Sequence, residues 1–113
     1  MLFICYPKCS TCKKAKKWLD EHHLNYTERH IVEEKPSYDE LKEWVSKSGL
    51  PLKKFFNTSG LLYKEMKLKD KLPTMSEDKQ LQLLATNGML VKRPLVIGDE
   101  AIFVGFKENE WSE

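Results

Sequence analysis

The sequence predicts an α/β layer fold built on a mixed sheet. Three features carry that expectation: a β-α-β order at the N-terminus, a middle run of capped helices, and a late β-hairpin entered through a proline. Leu2 to Tyr6 is an apolar run that stops at Pro7, the pattern of a buried strand. Ser10 to His22 reads as a helix, because Ala15, Trp18, Leu19 and His22 recur at spacings of three and four while lysines take the opposite face. Asn25 to Val32 reads as a second strand. Ser37 and Glu40 form a capping box, which opens a helix through Leu41, Trp44 and Val45 that ends near Gly49. From Leu50 to Leu72 the apolar pattern is broken by Pro51 and Gly60, so short helical pieces are expected. Thr74 with Glu77 reads as a second capping box. The helix after it carries Leu81, Leu84 and Ala85 and stops at Asn87-Gly88. Leu95 to Ile97, the turn Gly98-Asp99 and Ala101 to Val104 read as the hairpin. Lys107 to Glu113 begins a last helix, and Trp18, Trp44 and Trp111 fall at core-facing positions.

The 113 residues suit one domain. A 41% hydrophobic content supplies a core without disulfide staples. The net charge of +2 is too even for a nucleic-acid binder, and of the 19 basic residues only Arg29 and Arg93 are arginine, the usual bidentate reader of phosphates and bases. No apolar run approaches the ~18 residues that span a bilayer, and the N-terminal run is too short for a signal-peptide core. The expected location is the cytoplasm, where thiols stay reduced. Three cysteines there are more often catalytic or metal-binding than structural.

Cys9-Ser10-Thr11-Cys12 follows a predicted strand and opens a predicted helix. A free thiol has a pKa of ~8.5 and is mostly un-ionised at neutral pH. A helix N-terminus offers unpaired N–H groups and a partial positive charge, and Lys8 and Lys13 add cations. These effects favour a thiolate at Cys9, with Cys12 one helical turn away. A C-x-x-C in a βα turn reads as a thioredoxin-like redox motif. Two buried, inert cysteines are the alternative. A zinc site is disfavoured, because His22, His23 and His30 offer no second ligand pair. Cys5 lies within the first strand and reads as a core residue. The lysines at 13, 14, 16 and 17 are a solvated helix face or a field drawing anions toward Cys9. Lys92-Arg93-Pro94-Leu95-Val96 is the other singular stretch, since Pro belongs at a strand's first residue or edge.

Pro94 lies 85 residues after Cys9. That gap is too long for a bare glutaredoxin. With Tyr6 to Ala15, Gly49-Leu50-Pro51, Phe56-Asn57-Thr58-Ser59-Gly60, Arg93 to Val96 and Val104-Gly105-Phe106, the chain resembles the arsenate reductase (ArsC) and Spx family over essentially its whole length. The resemblance implies a thioredoxin-like (glutaredoxin-like) fold: a mixed four-stranded sheet, with a helical insertion between the β-α-β unit and the hairpin. In these terms residues 1–35 and 90–113 are the thioredoxin-like core and 36–89 the insertion. It further implies that Cys9 attacks the substrate, that Cys12 resolves the product, and that the N–H groups of Ser10 and Thr11, with Arg93, hold the negative charge. Lys8, Lys53 and Pro94 are the remaining expected contacts, Pro94 leaving a backbone edge for a thiol substrate. Family arsenate reductases cradle the oxyanion with three arginines. This chain has two, so Lys53, Lys92 or Lys107 would supply charge without the bidentate fork. The vicinal pair fits the Spx branch and an arsenate reductase-like branch with C-x-x-C. No metal or bound cofactor is implied. Glutathione is the implied co-substrate, glutaredoxin or thioredoxin the implied reductant, and for a regulator the RNA polymerase α subunit the implied partner.

Overall fold

A computed structural model describes residues 1–107 and 111. Its strands are β1 (Leu2–Cys5), β2 (Thr27–His30), β3 (Leu95–Ile97) and β4 (Ile102–Val104). Its helices are α1 (Ser10–Glu21), α2 (Tyr38–Ser48), α3 (Leu61–Glu65), α4 (Leu68–Lys71) and α5 (Glu77–Thr86), with 3₁₀ turns at Leu52–Phe55, Leu72–Thr74 and Gly88–Leu90. The four strands form one mixed sheet in the order β2-β1-β3-β4. β1 pairs parallel with β2, and antiparallel with β3. A parallel neighbour needs a crossover, and α1 supplies it. Of the expected last helix, the part at 108–110 and 112–113 lies outside the described residues. Trp111 is buried, as is Trp44, whereas Trp18 is half-buried.

Alternation along the strands sorts two cores. Phe3, Cys5 and Val96 face α1 and meet Cys12, Ala15, Leu19 and Trp111. Ile4, Leu95 and Ile102 face the other way, onto Leu41 and Trp44 of α2 and Leu81 and Leu84 of α5. This two-sided burial is why β1 is uniformly apolar. His22 does not join the α1 core. It is exposed and stacks on Trp18 at 3.8 Å.

The Ser37 capping box forms as expected, and Gly49 closes α2 with a left-handed φ of 69°. The second box does not form. Thr74 sits in the 3₁₀ turn behind Pro73, its hydroxyl donating to the Lys71 carbonyl at 2.7 Å. Met75 is extended, so the helix starts two residues later than expected, with Ser76 as N-cap accepting from the Lys79 N–H. The hairpin loop is also longer than expected. Ile97 pairs with Ile102, and Gly98 N–H donates to Ala101 C=O at 2.9 Å across a four-residue loop.

Arg29 is spent on structure. Its guanidinium makes a bidentate pair with Glu40 at 2.7 and 2.8 Å and also donates to the Glu34 and Lys35 carbonyls. Glu40 in turn closes the α2 capping box. Hydrogen bonds from Arg29, opposed by partial burial and aided by the Ser37 N–H, hold the Glu40 carboxyl at about 2. A carboxyl depressed on folding stabilises the protein above its unfolded value of ~4.3, and this contribution is lost as pH falls through the folded value. Arg29→Met is therefore expected to cost about 1–2 kcal/mol near neutral pH, a modest figure because the pair is partly solvated. Urea unfolding between pH 5 and roughly 2 checks it: the variant should lose less stability across that window than the native chain.

Candidate active site

Cys9 is placed by a tight turn. Its N–H donates to the Tyr6 carbonyl at 2.9 Å, and its own carbonyl accepts from Lys13 N–H to start α1. It is the N-cap residue, with extended φ and ψ of −85° and 123°. Its sulfur is partly exposed, whereas Cys12, three residues on, shares the buried face of Ala15 and Leu19. Tyr6 N–H donates to the Cys12 sulfur at 3.4 Å.

The two thiols are made unlike by this placement. Partial burial pushes Cys9 up. The N–H of Cys12, the Cys12 thiol, the N–H of Thr11 and the Arg93 guanidinium outweigh it, and the Cys9 pKa falls below the ordinary thiol value. These backbone donors converge on the sulfur without closing a capping hydrogen bond. Burial pushes Cys12 up to about 12, against the pull of the Tyr6 N–H. Cys5 is likewise pushed up to about 11, chiefly by burial, and stays in the core of β1. The expected donor Ser10 is replaced by Cys12. An N-cap side chain reaches the second and third helical N–H groups, not the first, and Ser10 is first.

A cleft of about 460 Å³ opens over Cys9, walled by Thr11, Asn57, Ser59, Lys92, Arg93 and the Gly105–Phe106 turn. Arg93 lies over the Tyr6 ring at 5.2 Å and its Nη1 is buried with no hydrogen-bond partner among the described residues. Such a donor is ready for an anion. The Arg93–Pro94 bond is cis. Pro94 itself is buried, and its carbonyl accepts from Gly105 N–H at 2.8 Å. It does not line the cleft, and its carbonyl is already engaged by the chain's own backbone.

The other expected contacts lie outside this cleft. Lys8 is exposed and does not line it. Lys53 sits in the 3₁₀ turn whose Leu52 and Phe55 point inward, which turns Lys53 and Lys54 outward into a neighbouring groove. On α1, Lys16 pairs with Glu28 at 2.8 Å and Lys17 with Glu21 at 3.8 Å, on an open face away from Cys9. No group of three or more His, Cys, Asp or Glu side chains among the described residues could hold a metal ion.

Asn57 and Ser59 reach the cleft by a non-local pairing. Phe56 bridges Val91 antiparallel, Asn57 N–H donates to Leu90 C=O at 2.7 Å, and Lys92 N–H to Phe55 C=O at 2.7 Å. This staple hangs the middle helices on the segment that leads into Arg93. Gly60 leaves room for the Asn57 side chain, since a Cβ there would lie 2.7 Å from its amide nitrogen. The only sequence signal was the polar run Asn57 to Gly60 after two phenylalanines.

A four-stranded mixed sheet with a cysteine at the β1–α1 turn, faced by a cis-proline loop, defines a thioredoxin-like fold. The family model described as ArsC matches residues 5–113, and the chain belongs to the ArsC family. It is 58% identical over 113 residues to YusI of Bacillus subtilis (strain 168), covering 100% of this chain and 96% of that one. A solved ArsC-family-related protein from Bacteroides fragilis superposes with a TM-score of 0.95 at 61% identity, over 98% of this chain and 93% of that one. The global transcriptional regulator Spx of Staphylococcus epidermidis is 31% identical over 105 residues, covering 92% of this chain and 78% of Spx. No described helix is long and apolar enough to cross a membrane.

Proposed function

We propose that the protein is a cytoplasmic thiol–disulfide oxidoreductase of the arsenate reductase-like branch of its family. The asymmetry of Cys9 and Cys12 carries this reading: an accessible thiol with a lowered pKa beside a buried one held protonated. Cys9 thiolate attacks a substrate disulfide. A Cys9–substrate disulfide forms, the substrate S–S bond breaks, and the departing sulfur takes up a proton. Cys12 then gives up its proton and attacks Cys9 sulfur, which forms the Cys9–Cys12 disulfide and releases the second substrate thiol. The substrate has gained two electrons and the pair has lost two. A thiol reductant of the glutathione, glutaredoxin or thioredoxin class restores the pair. Arg93 holds negative charge on Cys9, while Thr11 and Cys12 N–H groups complete the anion site.

The same site suits an oxyanion less well, because Arg29 is engaged by Glu40 and Arg93 is the one arginine at the cleft. A second reading, a redox-sensing regulator that contacts the RNA polymerase α subunit, draws on the likeness to Spx. A pull-down with that subunit's C-terminal domain in both redox states separates the two.

Titration of thiolate absorbance in the ultraviolet tests the main reading. The native protein should ionise one thiol below the ordinary ~8.5, and its reaction with an alkylating agent should rise with pH through that midpoint and then level. Arg93→Ala should move the midpoint to higher pH, since a cation that favours the thiolate is gone. Ordinary titration of both Cys9 and Cys12 would overturn the reading.

A further inference from the structure

Beside the Cys9 cleft, and sharing its Lys92, Val104 and Lys107 wall, runs a second groove of about 780 Å³. One side is β4, the edge strand of the sheet. The other is the segment after α2, with Leu50, Pro51 and Phe56 giving an apolar floor and Lys53 and Lys54 standing over it. Among the described residues no acidic one lines it. Lys53, Lys54 and Lys92 form no ion pair among the described residues, in contrast to Lys16 and Lys17 on α1.

The β4 backbone is set to accept another strand. Hydrogen bonds join Gly105 N–H to Pro94 C=O and Gly98 N–H to Ala101 C=O. In an antiparallel ladder, bonded pairs alternate. Val96 and Phe103 are therefore the bonded pair between them, and the N–H and C=O groups of Ile102 and Val104 point away from β3, along the open edge. An unpaired edge is a template for an extended peptide.

The geometry points to a substrate subsite: we infer that the groove takes an extended, acidic, cysteine-bearing segment of a protein, added along β4 so that its disulfide reaches Cys9. The inference rests on the thiol–disulfide reading above and names its substrate class. Charge selects the acidic partner. Continuity of the groove with the Cys9 cleft sets the reach. β4 has three residues and a strand rises ~3.3 Å per residue, so the acids belong within about four residues of the reacting cysteine.

The test uses two synthetic peptides of equal length, each with one cysteine carried as a disulfide to thionitrobenzoate. One has Asp and Glu on both sides of the cysteine, and the other has Asn and Gln. Release of thionitrobenzoate reports attack by Cys9. The acidic peptide is expected to half-saturate at a concentration about tenfold lower, an advantage that shrinks between low and roughly 0.5 M salt. Lys54→Glu should bring the ratio of the two peptides close to one, the neutral peptide serving as internal control. Equal rates for both peptides in the native protein, or a preference that survives Lys54→Glu, would overturn the subsite and leave the lysines as guards of the sheet edge. Fluorescence anisotropy with labelled peptides bearing Ser for Cys reads binding without chemistry. Selective binding of the acidic peptide by a protein that releases no thionitrobenzoate would keep the groove and remove the oxidoreductase reading. Release without selectivity in either assay would do the reverse.

Discussion

Cys9→Ser is expected to abolish disulfide exchange, with a loss on the order of a thousandfold or more in turnover of a glutathione-type disulfide. The hydroxyl keeps its place at the N-cap. However, no arrangement of two helix N–H groups and one guanidinium ionises an alcohol near neutral pH. Cys12→Ser should behave differently. The first attack survives because Cys9 keeps Thr11 and Arg93 as donors, but the second step has no thiol. One substrate half should remain bound to each Cys9, visible as a mass increase of the intact protein. Cys5→Ala should keep turnover, since Cys5 is buried in β1 and outside the cleft lining. Full turnover by Cys9→Ser would contradict the assignment of the nucleophile.

Gly88→Ala is expected to be the most damaging single methyl in the chain. A Cβ at Gly88 would lie 1.9 Å from the Ile31 carbonyl oxygen, 2.7 Å from its carbon and 3.0 Å from the Val32 Cα. All three are backbone atoms, so no rotamer change relieves the clash. The cost should be about 3–4 kcal/mol, the range of severe overpacking, against a total stability of ~5–15 kcal/mol. With an m-value of ~1–3 kcal/mol/M the urea midpoint should fall by roughly 2 M. Gly49→Ala is the matched comparison. Its φ of 69° disfavours a side chain, but nothing lies within 4 Å, so about 1 kcal/mol is expected. Equal losses at the two glycines would mean that the 88–90 turn does not press on the end of β2.

These two positions mark what the sequence made legible. Cys9 was readable because local rules suffice: an apolar strand, a proline, then a C-x-x-C opening an amphipathic helix. The Ser37 box and Gly49 stop were readable for the same reason, each being settled within a few residues. Gly88 read as a helix stop, and α5 does end at Thr86. The glycine is there, however, because Ile31 crosses it 57 residues away in the chain, and no local pattern records that crossing. The same limit hid Asn57 and Ser59, whose entry to the cleft depends on the Phe56–Val91 bridge. Lys53 was misplaced for a related reason. Its position in the chain is close to cleft residues, but the inward Leu52 and Phe55 turn it outward. Thr74 and Ser10 were closer misses. One was displaced by a proline-led 3₁₀ turn, the other by the rule that an N-cap reaches the second and third amides.

The Arg93 contact with Cys9 also imposes an order in time. A ribosome delivers Arg93 84 residues after Cys9. Until then β1 lacks β3, and α1 lacks Val96 beneath it. A nascent chain thus carries Cys9 without the guanidinium, the smallest of the contributions that lower its pKa. Under the proposed function, the set of donors around Cys9 is complete only once β3 has joined the sheet and brought Arg93 beside it.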